Sequence, residues 1–371
     1  MDYFEREVFG AEASFQLSFV STLILFYVAI SAALVRVIEL FISMRTGFLV
    51  GGLLVSGGLA AAGSATQVWQ VILSIGVCMA LGNSFIYSTG SRIVLPWFTA
   101  KRGLAMGIIA SATGLGGLIV PFIVHGIIET LGGPWMLRIL SMAWFVIFVT
   151  AYGLIREHEQ SKTKPTGLRG ILKWSLFKNL PFSLWCVSGC FQVIHCFLVP
   201  FTLPVYATSI GLSAKQGTDI ISVTMGCNFV GRLAAGVISD KIGSMNCSII
   251  FGAITAFSTL LLWVFAHSYG TLMAYACIFG FFGSVYFVFA GPITVVIVGL
   301  EQYPSGFALL TLAGFPAALS PIVANAIDHA VQQTEPYFWY KIITGGAALL
   351  STCILLAARC LLKPGELWVK I

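Results

Sequence analysis

The chain has 371 residues, of which 58% are hydrophobic and only 9% charged, and its formal net charge is +6. A soluble domain carries roughly a quarter of its residues as charges, so this chain cannot wet its own surface and its solvent must be lipid. Continuous apolar runs such as 15–33 and 47–62 show no alternation of period two, which argues for helices over a β-barrel. The modest basic excess belongs to loops, which argues against a nucleic-acid partner.

In chain order, residues 1–13 carry Asp2, Glu5, Glu7 and Glu12 against Arg6. They lack a cleavable signal pattern and read as a short segment on the outer side. A membrane span needs about 20 mostly apolar residues. Five such stretches, at 14–35, 47–64, 68–95, 103–128 and 134–155, make an N-terminal bundle over 14–155. Residues 156–181 form a basic linker with Arg156, Lys162, Lys164, Arg169, Lys173 and Lys178, in which Pro165 and Gly167 break any helix. Six further spans, at 182–206, 217–239, 247–266, 271–298, 306–327 and 338–361, make a C-terminal bundle over 182–361, and 362–371 is a tail. The expected class is therefore an all-α membrane protein with about eleven transmembrane helices, five plus six, in two bundles.

Lys and Arg accumulate on the cytoplasmic side of membrane proteins. With the linker taken as inside, Arg36, Arg45, Lys101, Arg102, the six linker residues, Lys241, Arg359, Lys363 and Lys370 share its side, while only Arg6 and Lys215 fall opposite. Linker and C-terminus are accordingly expected in the cytoplasm. Five spans of the first half match five of the second in order and spacing, at an offset of about two hundred residues, which is the pattern of an internal duplication. The counterpart of the 182–206 span would lie before residue 1. The expectation is a six-plus-six carrier lacking its first helix.

Ionisable residues within a span need a reason, since insertion scales assign them roughly 2.5–3.5 kcal/mol each. Arg232 shares a helix face with Asn228 one turn earlier and Asp240 two turns later. It either binds an anionic substrate or gates between the halves, or else it snorkels to the cytoplasmic surface and pairs with Asp240. Asp240 and Lys241, with Lys101 and Arg102, read as a cytoplasmic latch between helix ends. Gln192, His195 and Tyr206 could line a path. Arg138 is a further path candidate, although its position near the outer surface favours packing. Arg92 reads as an anchor at the inner surface, and His125 as a minor path candidate. Cys186, Cys190, His195 and Cys196 lie along one apolar helix and do not converge on a tetrahedron, so no metal is expected. Gly107, Gly114, Gly116 and Gly117 are spaced for close helix packing, and Gly291, Pro292, Pro316 and Pro321 mark helix breaks. No Walker A, H-E-x-x-H or G-x-S-x-G pattern occurs. An enzyme and a bound cofactor are not expected, and uphill transport would draw on an ion gradient.

The segment running from Trp97 and Phe98 through Lys101, Arg102, Gly103, Leu104, Ala105 and Gly107 to Gly114, Gly117 and Pro121 resembles a signature of monocarboxylate-porter-like transporters. Trp135 and Arg138 resemble the W-x-x-R of that family's fungal branch. Gly231, Arg232, Gly236, Asp240 and Gly243 are similar to its G-R-x-x-G-x-x-x-D-x-x-G motif. The resemblance implies the major facilitator fold, with monocarboxylates or fungal metabolites as substrates and Arg232 as the anion-binding residue. Proton-linked members carry Asp where this chain has Asn228, so proton coupling stays open. The first-half motif is degenerate, with Arg36, Glu39 and Arg45 in its neighbourhood.

These readings together point to a monomeric secondary transporter of a small organic molecule, for import or efflux. The alternative is a transport-dead or truncated paralogue serving as a membrane scaffold or receptor. No organelle address is evident, which makes the plasma membrane the default location.

Overall fold

A computed structural model describes residues 4–10, 14–156, 172–320 and 337–364. Most of the linker, the end of the tail, Pro321 and the last seven residues of the predicted 306–327 span lie outside the described residues. Everything described is helical or connecting, with no strand among the described residues.

The helices are α1 (Ser14–Ile38), α2 (Met44–Ala62), α3 (Val68–Val94), α4 (Arg102–Leu131) and α5 (Gly133–Leu154). A 3-10 turn at Trp174–Lys178 precedes α6 (Leu180–Ser209), α7 (Ala214–Ile242) and α8 (Ser244–Trp263). Then come α9 (Tyr269–Ile278), α10 (Tyr286–Ala313) and α11 (Phe338–Leu362). Short π-helical stretches occur at Ile72–Met79 within α3, at Ser258–Trp263 within α8 and at Phe279–Gly283 after α9.

Among the described residues nine helical runs are long and apolar enough to cross a membrane, and α1 adds the shorter apolar run Phe26–Ile38. The longest, Tyr269–Ala317, covers the predicted 271–298 span and the first part of the 306–327 span, and the boundary between them differs from the sequence reading. Glu301, Gln302, Tyr303 and Pro304 read as a loop, yet they are helical. The chain turns instead at Gly299, whose φ of 78° and ψ of 163° suit glycine alone. Glu301 follows in the first turn of the next helical stretch, where an acid meets the positive end of the helix dipole.

The structure divides into two units. One holds Met1–Trp97 with Val120–Lys173, the other Phe98–Ile119 with Trp174–Ile371, so the division passes through α4. The first unit's core is built from α2, α3 and α5, with Phe48, Val55, Leu59, Val71, Leu137 and Phe148 packed together. The second unit's core joins α6, α7, α8 and α9 through Leu203, Tyr206, Ile220, Trp263, Tyr275 and Phe279, with Trp263 and Tyr275 stacked at 5.2 Å between ring centroids. On α5 the exposed side chains Met142, Trp144, Phe145, Val146, Ile147 and Val149 are all apolar. Such a face is intolerable in water at this extent and ordinary in lipid.

Candidate functional site

The best-defined polar arrangement of the second unit lies where α7 meets the first half of α4. Ser213 opens α7 with a capping box to Gln216, which satisfies donors at the helix start. Small residues then let the two backbones approach. A β-carbon at Gly107 would stand 2.8 Å from the Arg232 carbonyl oxygen, one at Gly114 2.6 Å from the Phe229 nitrogen, and one at Gly236 2.6 Å from the Gly103 oxygen. Gly117 faces Met225 in the same row, whereas Gly116 has open space around it and takes no part in the contact, a correction to the sequence reading. At i and i+2 on a helix the two positions point to different sides.

This proximity sets the surroundings of Arg232, whose residue is only 6% exposed. Its Nη1 donates to the Ala110 carbonyl oxygen at 2.7 Å and to the Thr113 hydroxyl, and its guanidinium lies 5.6 Å from the centroid of the Phe287 ring. Thr113 in turn donates to the same Ala110 oxygen at 2.7 Å, which leaves its own lone pair turned to the arginine. Asn228 is buried one turn away, its Oδ1 beside Gly114. These contacts hold Arg232 among the helices, and Asp240 makes contacts of its own. Asp240 accepts from the Gly103 and Leu104 nitrogens, at 2.8 and 2.9 Å, two of the donors that a helix start leaves without intrahelical partners. Arg102 donates from Nε to the Phe98 oxygen at 2.8 Å, while Lys101 and Lys241 are exposed. Asp240 therefore ties α7 to the start of α4 through backbone groups.

Gln192 and His195 come together elsewhere in this unit. With Ser248, Thr255, Ser351 and Thr352 they line a cavity of about 20 Å³ between α6, α8, the π-helical stretch after α9 and α11. That volume has room for one water. The stretch ends at Ser284, whose φ of −101° and ψ of 27° leave the helix, and the Gly283 carbonyl oxygen there accepts from His195 Nε2 at 3.0 Å and from the Cys196 thiol at 3.4 Å. A carbonyl oxygen only accepts, so Nε2 carries the ring proton.

Tyr206 stands in a third place, in the aromatic core. Its hydroxyl donates to the Ala266 oxygen at 2.8 Å and accepts from Lys341 Nζ at 2.9 Å, and the ammonium also lies 4.1 Å from the centroid of the Tyr206 ring. Lys341 is fully buried. It is a positive charge inside the unit. The signal that could have found it is the cost of a lysine four residues into an apolar run, which demands an acceptor. Tyr206→Phe removes the hydroxyl and is expected to destabilise by about 1–3 kcal/mol. Thermal unfolding of the detergent-solubilised chain measures it, and an unchanged midpoint contradicts the arrangement.

Arg138 belongs to the first unit and bonds Ser64 at 3.2 Å beside the Trp135 ring. His125 is exposed and lies 3.4 Å from Glu129. Arg92, expected as a surface anchor, is 2% exposed and paired with Glu39, which also holds Arg36. The sequence-predicted path residues thus lie in separate places: Arg232 with Asn228, Gln192 with His195, and Tyr206 beside Lys341 in the second unit, with Arg138 and His125 in the first.

Comparison with known proteins is consistent with this all-helical arrangement. The family model described as Major Facilitator Superfamily matches residues 6–297. An MFS-type transporter of Gibberella moniliformis is 30% identical over 87% of this chain and 77% of its own length. The Fujikurins efflux protein of Gibberella fujikuroi is 26% identical over 97% and 77%. Among solved structures, the E. coli fucose:proton symporter FucP superposes with a TM-score of 0.76 at 15% identity, covering 94% of this chain and 92% of that one. The human organic anion transporter MFSD10 superposes with a TM-score of 0.74 at 14% identity, covering 92% and 83%.

Proposed function

This chain belongs to the Major Facilitator Superfamily, and from that premise we propose that it is a secondary transporter of a small organic anion, working by alternating access. Arg232 carries the proposal. A guanidinium keeps its charge at any physiological pH, and placing one well inside a span is costly enough to mark a functional site by default. Here the guanidinium is held by an α4 carbonyl oxygen, a threonine hydroxyl and an aromatic face. A carboxylate entering this surrounding would meet a fixed positive charge at low dielectric, where attraction is far stronger than in water.

The substrate class is a monocarboxylate or an acidic fungal metabolite. The motif resemblance around Gly231, Arg232 and Asp240 supports the monocarboxylate-porter-like branch. Efflux is supported by the fungal relative whose name describes it as an efflux protein. The plasma membrane is the proposed location, with the linker and the C-terminus in the cytoplasm.

The test compares small-molecule pools inside and outside cells with and without the chain, at two external pH values. An acid that accumulates inside when the chain is removed identifies the substrate and makes this an exporter. An acid left unconsumed in the medium makes it an importer, and dependence on external pH indicates proton coupling. Pools identical under all four conditions overturn the proposal.

A further inference from the structure

The first unit contains a buried charge cluster that the transport reading does not use. Arg36 lies in the last turn of α1, Glu39 just beyond it and Arg92 in the last turn of α3. All three are at least nine-tenths buried. Glu39 is fully engaged: Oε2 accepts from Arg36 Nη1 at 3.2 Å, and Oε1 from Arg92 Nη1 at 2.5 Å. Two guanidiniums face one carboxylate, so the cluster keeps one positive charge in excess.

The hydrogen-bond pattern shows where that excess points. Arg92 Nε and Nη2 and Arg36 Nε are buried with no acceptor. In a guanidinium, Nε–H and the Nη2–H beside it project from one edge as a parallel pair, the fork that fits two oxygens of a carboxylate or phosphate. Glu39 occupies only the Nη1 end of Arg92 and leaves this fork open. Ser88 and Thr89, one turn earlier on α3, carry buried hydroxyls that likewise have no hydrogen-bond partner. Charged donors buried without acceptors are strongly unfavourable.

We infer that the Arg92 fork is an oxyanion site, closed in this conformation, that takes either the carboxylate of an organic acid or the phosphate of a lipid headgroup. The positive-inside bias puts the cluster at the cytoplasmic end of α1 and α3, where both sources are at hand. The acid as a source rests on the transport reading above; the lipid does not.

The full chain carrying Arg232→Gln is placed in phosphatidylcholine nanodiscs, so that an anion bound by Arg232 cannot contribute. Its thermal unfolding is followed in two arms. One titrates benzoate, and the other replaces part of the lipid with phosphatidic acid. Stabilisation in either arm is expected and identifies the source. Arg92→Lys keeps the charge without the fork, and it should raise the half-saturating concentration about tenfold, as expected for a lost charge-assisted hydrogen bond. Glu39→Gln removes the neighbouring negative charge that repels an anion and should lower that concentration about tenfold. It also decides the question if Arg92→Lys does not accumulate. No stabilisation in either arm overturns the inference. So does stabilisation left unchanged by Arg92→Lys, or by Glu39→Gln. A response that disappears in the Arg232→Gln chain while Arg92→Lys alone retains it assigns the anion to Arg232, which overturns this site and leaves the transport reading standing.

Discussion

Arg232→Ala is expected to abolish transport of whichever acid the pool comparison identifies, while the protein continues to accumulate in the membrane. One hydrogen bond to a charged group contributes about 1.5–3 kcal/mol, or about 10- to 150-fold in rate or affinity. The fixed charge that would draw an anion disappears with it. Abundance should survive for a separate reason. The Ala110 carbonyl oxygen lies inside α4 and keeps its helical hydrogen bond, and removing a buried charge also removes its desolvation cost. Arg232→Lys separates charge from geometry. A single ammonium cannot reproduce the planar fork, so transport well below the parent's is expected despite the retained charge. Flux is measured in vesicles at matched protein amounts. Parent-like flux by Arg232→Ala removes Arg232 from the mechanism.

Two glycines of α4 give an expectation with an internal control. Gly114→Ala puts a β-carbon 2.6 Å from the Phe229 nitrogen and 2.9 Å from its Cα. Both are backbone atoms of α7 and cannot rotate aside, so the helices must separate. Overpacking of this kind costs about 1–3 kcal/mol, which for a chain of this size lowers the melting midpoint by a few degrees. The same displacement would disturb Arg232, whose partners Ala110 and Thr113 belong to the same stretch of α4. Gly116→Ala, two residues along, meets nothing within 4 Å. Alanine's better helix propensity, worth about 1 kcal/mol at most, should leave it neutral or slightly stabilised. Equal midpoints for the two variants would rule out the close approach of α4 and α7.

Much of the fold was legible in the sequence because lipid imposes a simple rule. A backbone in hydrocarbon must satisfy its own hydrogen bonds, so each span appears as a continuous apolar run of the right length. The boundary near Gly299 escaped that rule. Hydropathy reads Glu301 and Gln302 as loop, whereas the turn depends on one positive φ and on a helix start that accepts an acid. The glycine face of α4 was half legible: the spacing picked out four glycines, but which of them touch α7 is a matter of helix rotation.

The candidate site was less legible. The cost of a charge in a span singled out Arg232 with Asn228 from sequence alone; it bears on Lys341 and Arg92 as well, but it does not show where either side chain points. Arg92 read as a surface anchor because its neighbours in sequence are the basic residues of the inner face, but its neighbour in space is Glu39, 53 residues away.

By itself, the sequence determined that this chain lives in a bilayer and that it is helical. Each of these follows from composition and from periodicity along the chain, local quantities that lipid acts on directly. Only the tertiary structure decided that Arg232 is held by Ala110 and Thr113, that Asp240 caps α4, that His195 meets the Gly283 carbonyl and that Lys341 meets Tyr206. Each of these contacts joins residues from different helices, and the apolar patterns that insert those helices carry no record of which side chains will face one another.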